Sequence, residues 1–424
     1  MLVPSLLVAT GLTAYSVAAI RASSSSQIVL PRPTGHYNVG RTASVELIDY
    51  SRIQPFAPEI EPVKLGISLF YPVLTRQYTT PTAYFPAEVA AFEDITLSGK
   101  GLQSPNGTFE RLALSLASDE ACRDARHRPA VEFPLAIFMP GEGTTRLWYS
   151  QIASTIASNG YIVVAIDPPY NVDVVEYPDG SLAFLNSTLW GSLDPAVLLP
   201  TAYVGIESQV QDVRFVLDQL SNVTLAHTLV PNLPPSGLNT TTTAMFGHSL
   251  GGSTAYSISE QDSRILGGLD MDGGLFGPGN GTNKPFMIMA SANHTRDPNG
   301  DYTQVSWAET WPNITGWRRH VMVAVSISLT TQFETFADHP GSYQEALHYD
   351  FSDYPIVFET LGITPGSTVA SSENGTLTGT LEGHRALQIV TTYVTAFLDL
   401  IILGKRSALL DGPAIGFPEV TFEY

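Results

Sequence analysis

The sequence predicts an α/β fold in which a mostly parallel central sheet carries helices on both faces, with loops inserted over one edge. Residues 134–139 (PLAIFM) and 161–167 (YIVVAID) are short apolar runs typical of buried strands. Between them, residues 146–160 have helical spacing and end in Asn-Gly, a helix stop signal. A strand, a helix and a second strand at this spacing indicate neighbouring parallel strands.

The same alternation continues through the rest of the chain. Residues 201–220 carry apolar side chains at near-helical intervals, which predicts a helix packed on the sheet. Further strands are predicted at 242–248, 265–272, 285–291 and 319–325. Segments without periodicity predict loops at 168–200, 226–241 and 351–381. The order of these elements is that of a single α/β domain with insertions.

The composition and the N-terminus indicate an exported globular protein. Apolar residues make up 44% of the chain and charged residues only 14%, so the core can be large. The first 19 residues contain no charged side chain and end in small residues, which predicts a signal peptide over 1–19 in preference to a membrane anchor. The serine run at 23–26 predicts a linker over 20–29, followed by one domain over 30–424.

Potential N-glycosylation sites support export. Asn-x-Ser/Thr occurs eight times, at Asn106, Asn186, Asn222, Asn239, Asn280, Asn293, Asn313 and Asn374. The single cysteine, Cys122, has no partner for an internal disulfide, and we interpret it as structural. Stability must therefore come from the core.

Charge and spacing exclude several classes of function. A net charge of −19 repels nucleic acids and anionic membrane surfaces. No spacing of Cys or His indicates a metal site, and no glycine-rich phosphate loop follows an early strand, so we expect no metal and no cofactor. The apolar run 386–404 is interrupted by Asp399 and predicts a buried helix that closes the fold, not a membrane span.

The stretch AMFGHSLGGSTAY, residues 244–256, predicts a nucleophile. Gly-x-Ser-x-Gly is a weak pattern alone, but here Ser249 follows a predicted strand and opens a predicted helix. Gly247 and Gly251 leave room for the sharp turn, and His248 should point away from the serine. The helix N-terminus favours the negative charge that develops there during ester hydrolysis.

Two further parts of a serine hydrolase site can be placed by strand order. The oxyanion donors are expected to be the backbone N–H groups of Leu250, which follows the serine, and of Glu142, in the loop after strand 134–139. The acid is expected at the end of the next strand, where Asp270 and Asp272 are candidates. We favour Asp272, because it ends the strand and is followed by two glycines.

A colinear set of motifs resembles the platelet-activating factor acetylhydrolase-like proteins, which are secreted α/β-hydrolases of the group VII phospholipase A2 class. The resemblance spans roughly residues 30 to 405. Its motifs are LPRPTGHYNVG (30–40), SRIQPFAP (51–58), ISLFYPV (67–73), FMPGEGTTRLWYS (138–150), YIVVAIDPPYNVDVVEYPDG (161–180), VRFVLDQL (213–220), FGHSLGGSTA (246–255) and GLDMDGGLFG (268–277).

The resemblance implies an α/β-hydrolase fold and a calcium-independent serine esterase activity. The substrates of such an enzyme are phospholipids with an acetyl or short oxidised acyl group at the sn-2 position, and contact with a lipid surface is implied as well. Ser249 matches the family's nucleophile, Asp272 its acid, and Leu250 and Glu142 its oxyanion donors. The oligomeric state stays open.

The histidine of the triad is where the chain departs from the family. The family places it in a pattern like His-x-x-Phe-x-Asp after the last strand, and aligning that pattern with TTQFETFADHP (330–340) puts Phe333 at the histidine position. We therefore expect His339, which follows Asp338 of this pattern by one residue, to act as the base. His320 lies at the start of the predicted strand 319–325, which is the wrong end for the site, and His348 is expected to be a surface or capping residue.

Three alternatives remain from the sequence. The chain could be a secreted carboxylesterase or polyester hydrolase of other specificity, because the elbow does not define the acyl group. It could also be a catalytically silent relative that retains lipid binding. Finally, an error in the gene model over 325–332 would explain both the missing histidine and an unusually long connection after the last strand.

Overall fold

The computed structural model describes residues 26–75, 79–125, 127–191, 195–277, 281–292, 294–323, 346–364, 366 and 376–424. The strands are β1 (Ile28–Val29), β2 (Asn38–Arg41), β3 (Val45–Ile53), β4 (Pro62–Val73), β5 (Thr79–Ala83), β6 (Leu112–Ala117), β7 (Leu135–Met139), β8 (Ile162–Asp167), β9 (Val174–Glu176), β10 (Leu182–Phe184), β11 (Thr243–His248), β12 (Ile265–Met271), β13 (Phe286–Ala290), β14 (Arg318–Val323) and β15 (Val420–Glu423). The helices are α1 (Ala87–Gly99), α2 (Asp119–Ala125), α3 (Ser150–Ser158), α4 (Ser187–Trp190), α5 (Pro195–Leu220), α6 (Val223–Leu229), α7 (Leu250–Gln261), α8 (Tyr302–Thr310), α9 (Tyr354–Thr360) and α10 (Gly383–Leu403).

A ten-stranded sheet organises the described part of the chain. Its strands follow the order β15-β14-β13-β12-β11-β7-β8-β4-β2, and β3 also pairs with β4. The six strands from β14 to β8 run parallel, whereas β15, β4, β2 and β3 are antiparallel to their neighbours. Because parallel strands end at the same edge, the loops after β7, β11 and β12 lie side by side.

Apolar side chains of the parallel strands alternate between two helical layers. In β7, Ala136 and Phe138 face the layer that contains α3 and α10, whereas Leu135, Ile137 and Met139 face the layer that contains α5 and α7. Both faces are therefore buried, which is the reason these strands read as continuous apolar runs in the sequence. The predicted α/β-hydrolase architecture, with helices on both faces of a mostly parallel sheet, is confirmed.

The last long helix also follows the prediction. By length and composition alone, α10 could cross a membrane. Its apolar side instead packs into the core, where Ile389, Tyr393 and Phe397 are fully buried. Asp399, which interrupts the run, accepts a hydrogen bond of 2.6 Å from the hydroxyl of Tyr161. The helix closes one face of the fold.

Three predicted loops contain regular structure. The segment 168–200 holds the hairpin of β9 and β10, the short helix α4 and the first turns of α5, while α6 enters 226–241 and α9 lies within 351–381. These elements are short, so they give too few periodic residues to be seen in the sequence. Capping explains α6: the Asn222 side chain accepts hydrogen bonds from the backbone N–H groups of Thr224 and Leu225.

The N-terminal boundary of the fold needs a similar correction. The predicted linker extends to residue 29, but Ile28 and Val29 form β1, which pairs in parallel with β6. Leu30, the next residue, is buried in the core. The predicted signal peptide over 1–19 lies outside the described residues.

Candidate active site

The segment around Ser249 forms a sharp turn between β11 and α7. Ser249 has φ 54° and ψ −121°, a strained backbone conformation for a residue with a side chain. The turn is held by the backbone N–H of Ser249, which donates to the carbonyl oxygen of Met271 at 2.9 Å. This is the strand–turn–helix geometry that predicted a nucleophile.

The glycines of the elbow are required by close backbone packing. A Cβ atom at Gly247 would lie 2.2 Å from the backbone of Gly251, and one at Gly251 would lie 2.1 Å from the carbonyl oxygen of Met139. A Cβ atom at Gly141 would lie 2.9 Å from the Cβ of Ser249. The loop after β7 therefore packs directly against the serine, as the oxyanion hypothesis requires.

Asp272 follows β12 and is almost completely buried. Its Oδ1 accepts a hydrogen bond of 2.7 Å from the backbone N–H of Ser291, and its φ is 56°. Two histidines donate to the same carboxylate: His348 through Nδ1 to Oδ2 at 2.9 Å, and His294 through Nδ1 to Oδ1 at 3.1 Å. Burial alone would raise its pKa, but the hydrogen bonds from His294 and His348 hold the pKa well below the usual range.

Asp270, the other acid considered, has a different environment. It is fully buried, and its Oδ1 accepts a hydrogen bond of 2.9 Å from the backbone N–H of Gly273. Burial raises its pKa well above the usual value. Asp270 therefore supports the turn that follows β12, and of the two acids only Asp272 meets histidine side chains.

His348 does not lie on the surface as a capping residue, which corrects the expectation from sequence. It starts a 3₁₀ turn, His348–Phe351, and its ring centroid lies 4.4 Å from that of His248, the residue before Ser249, with the two ring planes tilted by 40°. About a third of its side chain, 36%, is exposed. Because Nδ1 donates to Asp272, Nε2 is the nitrogen that remains available for a proton from a nucleophile.

A signal for His348 is present in the sequence. Residues 348–353, HYDFSD, follow the pattern His-x-x-Phe-x-Asp, which the alignment at 333–338 matched only in its Phe and Asp. The two acids of the segment anchor it. Asp353 accepts hydrogen bonds from the backbone of Gln151 and Ile152 at the start of α3, and Asp350 accepts from Leu347 and Gly379.

The other candidate histidines are easily distinguished. His339 and the segment 325–332 lie outside the described residues. His320 is buried in β14, where its Nδ1 lies 2.9 Å from a carboxylate oxygen of Glu423. His294, which the sequence left without a role, meets Asp272 and also contacts the hydroxyl of Ser291 at 3.0 Å.

The expected oxyanion donors lie on either side of Ser249. Leu250 is the first residue of α7, so its backbone N–H has no acceptor within the helix. Glu142 lies in the loop after β7, one residue from Gly141. Burial raises the pKa of the Glu142 carboxyl to about 7, and the positive charges of Lys100 and His348 oppose that rise. The charge of the Glu142 side chain therefore interacts with His348.

The potential glycosylation sites differ in exposure. Asn106, Asn222 and Asn313 are exposed, whereas Asn186 and Asn239 are half-buried. The Nδ2 of Asn186 donates to the carbonyl oxygen of Phe56 at 2.9 Å. The remaining three, Asn280, Asn293 and Asn374, lie outside the described residues.

Comparisons with known proteins show what the chain is similar to. Residues 22–171 match the family model described as platelet-activating factor acetylhydrolase, isoform II. A probable 1-alkyl-2-acetylglycerophosphocholine esterase from Arthroderma benhamiae is 28% identical over 428 residues, which cover 95% of this chain and 96% of the relative. The resemblance to the platelet-activating factor acetylhydrolases is confirmed.

A solved structure extends this relationship to another esterase. A ferulic acid esterase from Streptomyces cinnamoneus is 26% identical and superposes with a TM-score of 0.70, covering 94% of this chain and all of that one. Both the sequence relative and the solved structure are named as esterases. The chain is a hydrolase of the esterase type.

Proposed function

We propose that the chain is a secreted serine esterase that removes acetyl or short acyl groups from the sn-2 position of phospholipids. The observation that carries this proposal is the hydrogen bond between Asp272 and His348 beside the strained turn of Ser249. The substrate class is supported by the family match and by the esterase name of the Arthroderma benhamiae relative. The predicted signal peptide and sequons support secretion.

In the proposed reaction, Ser249 attacks and His348 moves the proton. The Oγ of Ser249 bonds to the ester carbonyl carbon as Nε2 of His348 accepts the hydroxyl proton, which gives a tetrahedral oxyanion. Collapse of this intermediate breaks the bond to the sn-2 oxygen. The leaving alkoxide takes the proton from His348 and departs as the lysophospholipid, leaving an acyl group on Ser249.

Water completes the cycle by the same path. His348 accepts a proton from water, whose oxygen attacks the acyl carbonyl, and Ser249 leaves with the proton that His348 returns. Asp272, which stays ionised because its pKa is lowered, stabilises the imidazolium in both halves. The backbone N–H groups of Leu250 and Glu142 stabilise the oxyanion. No metal or cofactor takes part in this scheme.

Contact with a lipid surface belongs to the same proposal. Ile53 and Ile60 on the β3–β4 hairpin, and Tyr203 and Val204 on α5, are exposed apolar side chains, and a groove of about 600 Å³ lies between Ile53 and the α5 pair. Ile53 of β3 pairs with Pro62 of β4, and this pair lies beyond the carboxyl end of β8. Ile53 is therefore at the same edge of the sheet as Ser249. A net charge of −19 favours zwitterionic over anionic lipid.

This lipid contact can be tested separately from catalysis. The double variant Ile53→Ser, Val204→Ser should bind phosphatidylcholine vesicles less than wild type in flotation, because less apolar surface enters the interface. Its turnover of soluble p-nitrophenyl butyrate should be unchanged. Equal vesicle binding by wild type and variant would show that this surface does not contact lipid.

A carboxylesterase of other specificity is the second candidate, favoured by the ferulic acid esterase structure. The two functions predict different acyl preferences, so purified protein should be assayed with 1-alkyl-2-acetyl-, 2-butyryl- and 2-palmitoyl-glycerophosphocholine and with methyl ferulate. We expect acetate release to be fastest and to disappear in Ser249→Ala. Faster hydrolysis of methyl ferulate would assign the second function, and turnover that persists in Ser249→Ala would contradict both.

A further inference from the structure

We infer that Tyr149 and His248 are positioning residues that keep the base, His348, in register with the oxyanion loop, residues 140–143. The inference rests on the proposed function, because it concerns how the proposed catalytic groups are held. Neither residue touches the reacting atoms in this account. Both act through the backbone groups to which they are hydrogen bonded.

The contacts form an uninterrupted chain through the protein interior. The backbone of Gly141 lies beside the hydroxyl of Tyr149 and opposes the rise that burial gives the pKa of that hydroxyl, and a Cβ atom at Gly141 would lie 3.3 Å from Nδ1 of His248. That hydroxyl lies 2.7 Å from Nδ1 of His248, and Nε2 of His248 lies 2.8 Å from the backbone carbonyl oxygen of His348. Tyr149 and His248 are fully buried, so water does not substitute for these partners.

Only one arrangement of protons satisfies this chain. The carbonyl oxygen of His348 only accepts, so Nε2 of His248 must carry the ring proton. For a neutral ring, Nδ1 is then an acceptor, and the hydroxyl of Tyr149 donates a hydrogen bond to it. Burial, followed by the positive charge of His348, lowers the pKa of His248 to about 3, so the ring is neutral at physiological pH.

The chain holds His348 at two points. Its ring is held by Asp272, and its carbonyl is held by His248, while the rings of His248 and His348 are in tilted contact with centroids 4.4 Å apart. The other end of the chain fixes Gly141, next to the proposed oxyanion donor Glu142. The distance between base and oxyanion donor is therefore set by two buried side chains and not by loop conformation alone.

The dependence of catalysis on the placement of its groups gives the expected effect of removing the Tyr149 hydroxyl. Tyr149→Phe removes the hydroxyl that lies beside Gly141 and Nδ1 of His248. The oxyanion loop and the 3₁₀ turn that carries His348 can then shift relative to each other. A displacement of about 1 Å in a catalytic group can reduce the rate about 100-fold. We expect kcat to fall about 10- to 100-fold and KM to change less than about 2-fold, because substrate binding itself is not altered.

Tyr161→Phe is the matched control for loss of a buried tyrosine hydroxyl. Tyr161 is fully buried, and its hydroxyl donates to Asp399 at 2.6 Å, but it precedes β8 at the edge of the sheet opposite Ser249. We expect this variant to lower the unfolding midpoint without lowering kcat. Measuring both quantities for both variants separates positioning from stability.

Two substitutions of His248 test the direction of the hydrogen bonds. His248→Gln can place an amide N–H near the position of Nε2 and retain the bond to the carbonyl of His348, whereas His248→Asn reaches only toward Tyr149. Purified variants are compared by kcat, KM and thermal unfolding with p-nitrophenyl acetate, and Ser249→Ala gives the background. We expect His248→Gln to retain more kcat than His248→Asn.

The outcomes are distinct. Serine-dependent turnover in wild type, with kcat lost in Tyr149→Phe and kept in Tyr161→Phe, supports the inference. Serine-dependent turnover with equal kcat in wild type and Tyr149→Phe, or with His248→Asn at least as active as His248→Gln, overturns it and leaves the proposed function standing. Absence of serine-dependent turnover in wild type overturns the proposed function, and the positioning role falls with it.

Discussion

At the scale of residues, the unusual feature of the site is an acid shared by two histidines. His348 donates to one oxygen of Asp272 and His294 donates to the other. The ring of His348 contacts the ring of His248 beside the nucleophile, whereas Nε2 of His294 lies 3.6 Å from Asp301. The two rings are therefore inequivalent: we assign His348 to proton transfer and His294 to orientation of the carboxylate.

Substitutions of Asp272 and of His294 should lower kcat/KM to very different extents. Asp272→Asn should lower kcat/KM about 10⁴-fold, because an amide neither fixes the tautomer of His348 nor stabilises its charged form. His294→Gln should lower kcat/KM less than about 10-fold, since it removes one hydrogen bond from an acid that retains His348 and Ser291. Steady-state kinetics with p-nitrophenyl acetate compare the two, and a larger loss in His294→Gln would exchange their roles.

At the scale of elements, the elbow depends on contacts that leave no room for a side chain. Gly251→Ala would place a Cβ atom 2.1 Å from the carbonyl oxygen of Met139, so α7 or β7 must move. We expect a loss of about 3 kcal/mol or more in the free energy of unfolding, and loss of activity. Gly404→Ala is the control, because φ is 65° but no atom lies within 4 Å, and it should cost about 1 kcal/mol. Urea unfolding measures both.

The 3₁₀ turn that carries His348 should make stability depend on pH. Burial raises the pKa of Asp350 to about 7 in the folded protein, against hydrogen bonds from Leu347 and Gly379 that lower it. A carboxyl with a raised folded pKa holds its proton more tightly when folded, so its contribution is complete below pH 3.8 and is lost as pH rises through 7.

This contribution is removed in Asp350→Asn, which has no titrating group at the position. Between pH 5 and 8, we expect the wild-type free energy of unfolding to fall by on the order of 1 kcal/mol per pH unit from this group. The variant should show a smaller decrease over the same range. Equal pH dependence in urea unfolding of wild type and Asp350→Asn would contradict the assignment.

At the scale of the whole molecule, the fold can be predicted from the sequence because both faces of the sheet are buried. Runs such as 134–139 and 161–167 are apolar throughout, and the helices between them have clear periodicity. The antiparallel strands β2 to β6 were not predicted. Their positions depend on pairing with β4 and with each other, which local periodicity does not encode.

Only part of the site can be predicted from the sequence, for a related reason. Ser249, Leu250 and Asp272 follow strands directly, so strand order places them. His348 lies after a long connection, where position along the chain says little about position in space. Its motif is present, but a partial match nearer the strand, at 333–338, aligns with the same pattern through its Phe and Asp. The contact with Asp272, a tertiary feature, distinguishes His348.

Glycosylation is a prediction for the secreted molecule as a whole. Expressed in a eukaryotic host, the protein should carry glycans at the exposed residues Asn106, Asn222 and Asn313. Asn186 should stay unmodified, because its amide nitrogen is hydrogen bonded to Phe56. Mass spectrometry of peptides after enzymatic deglycosylation reports each site, and a mature N-terminus near residue 20 would confirm the signal peptide. A glycan on Asn186 would contradict the exposure argument.

The most direct test of the account concerns the base. Release of acetate from 1-alkyl-2-acetylglycerophosphocholine should be measured for wild type, His348→Asn and His339→Asn, each verified as folded by thermal unfolding. The account predicts a loss of at least about 10³-fold in kcat for His348→Asn and less than about 3-fold for His339→Asn. Near-normal turnover in His348→Asn, or a comparable loss in His339→Asn, would contradict the catalytic role assigned to the Ser249, His348 and Asp272 arrangement.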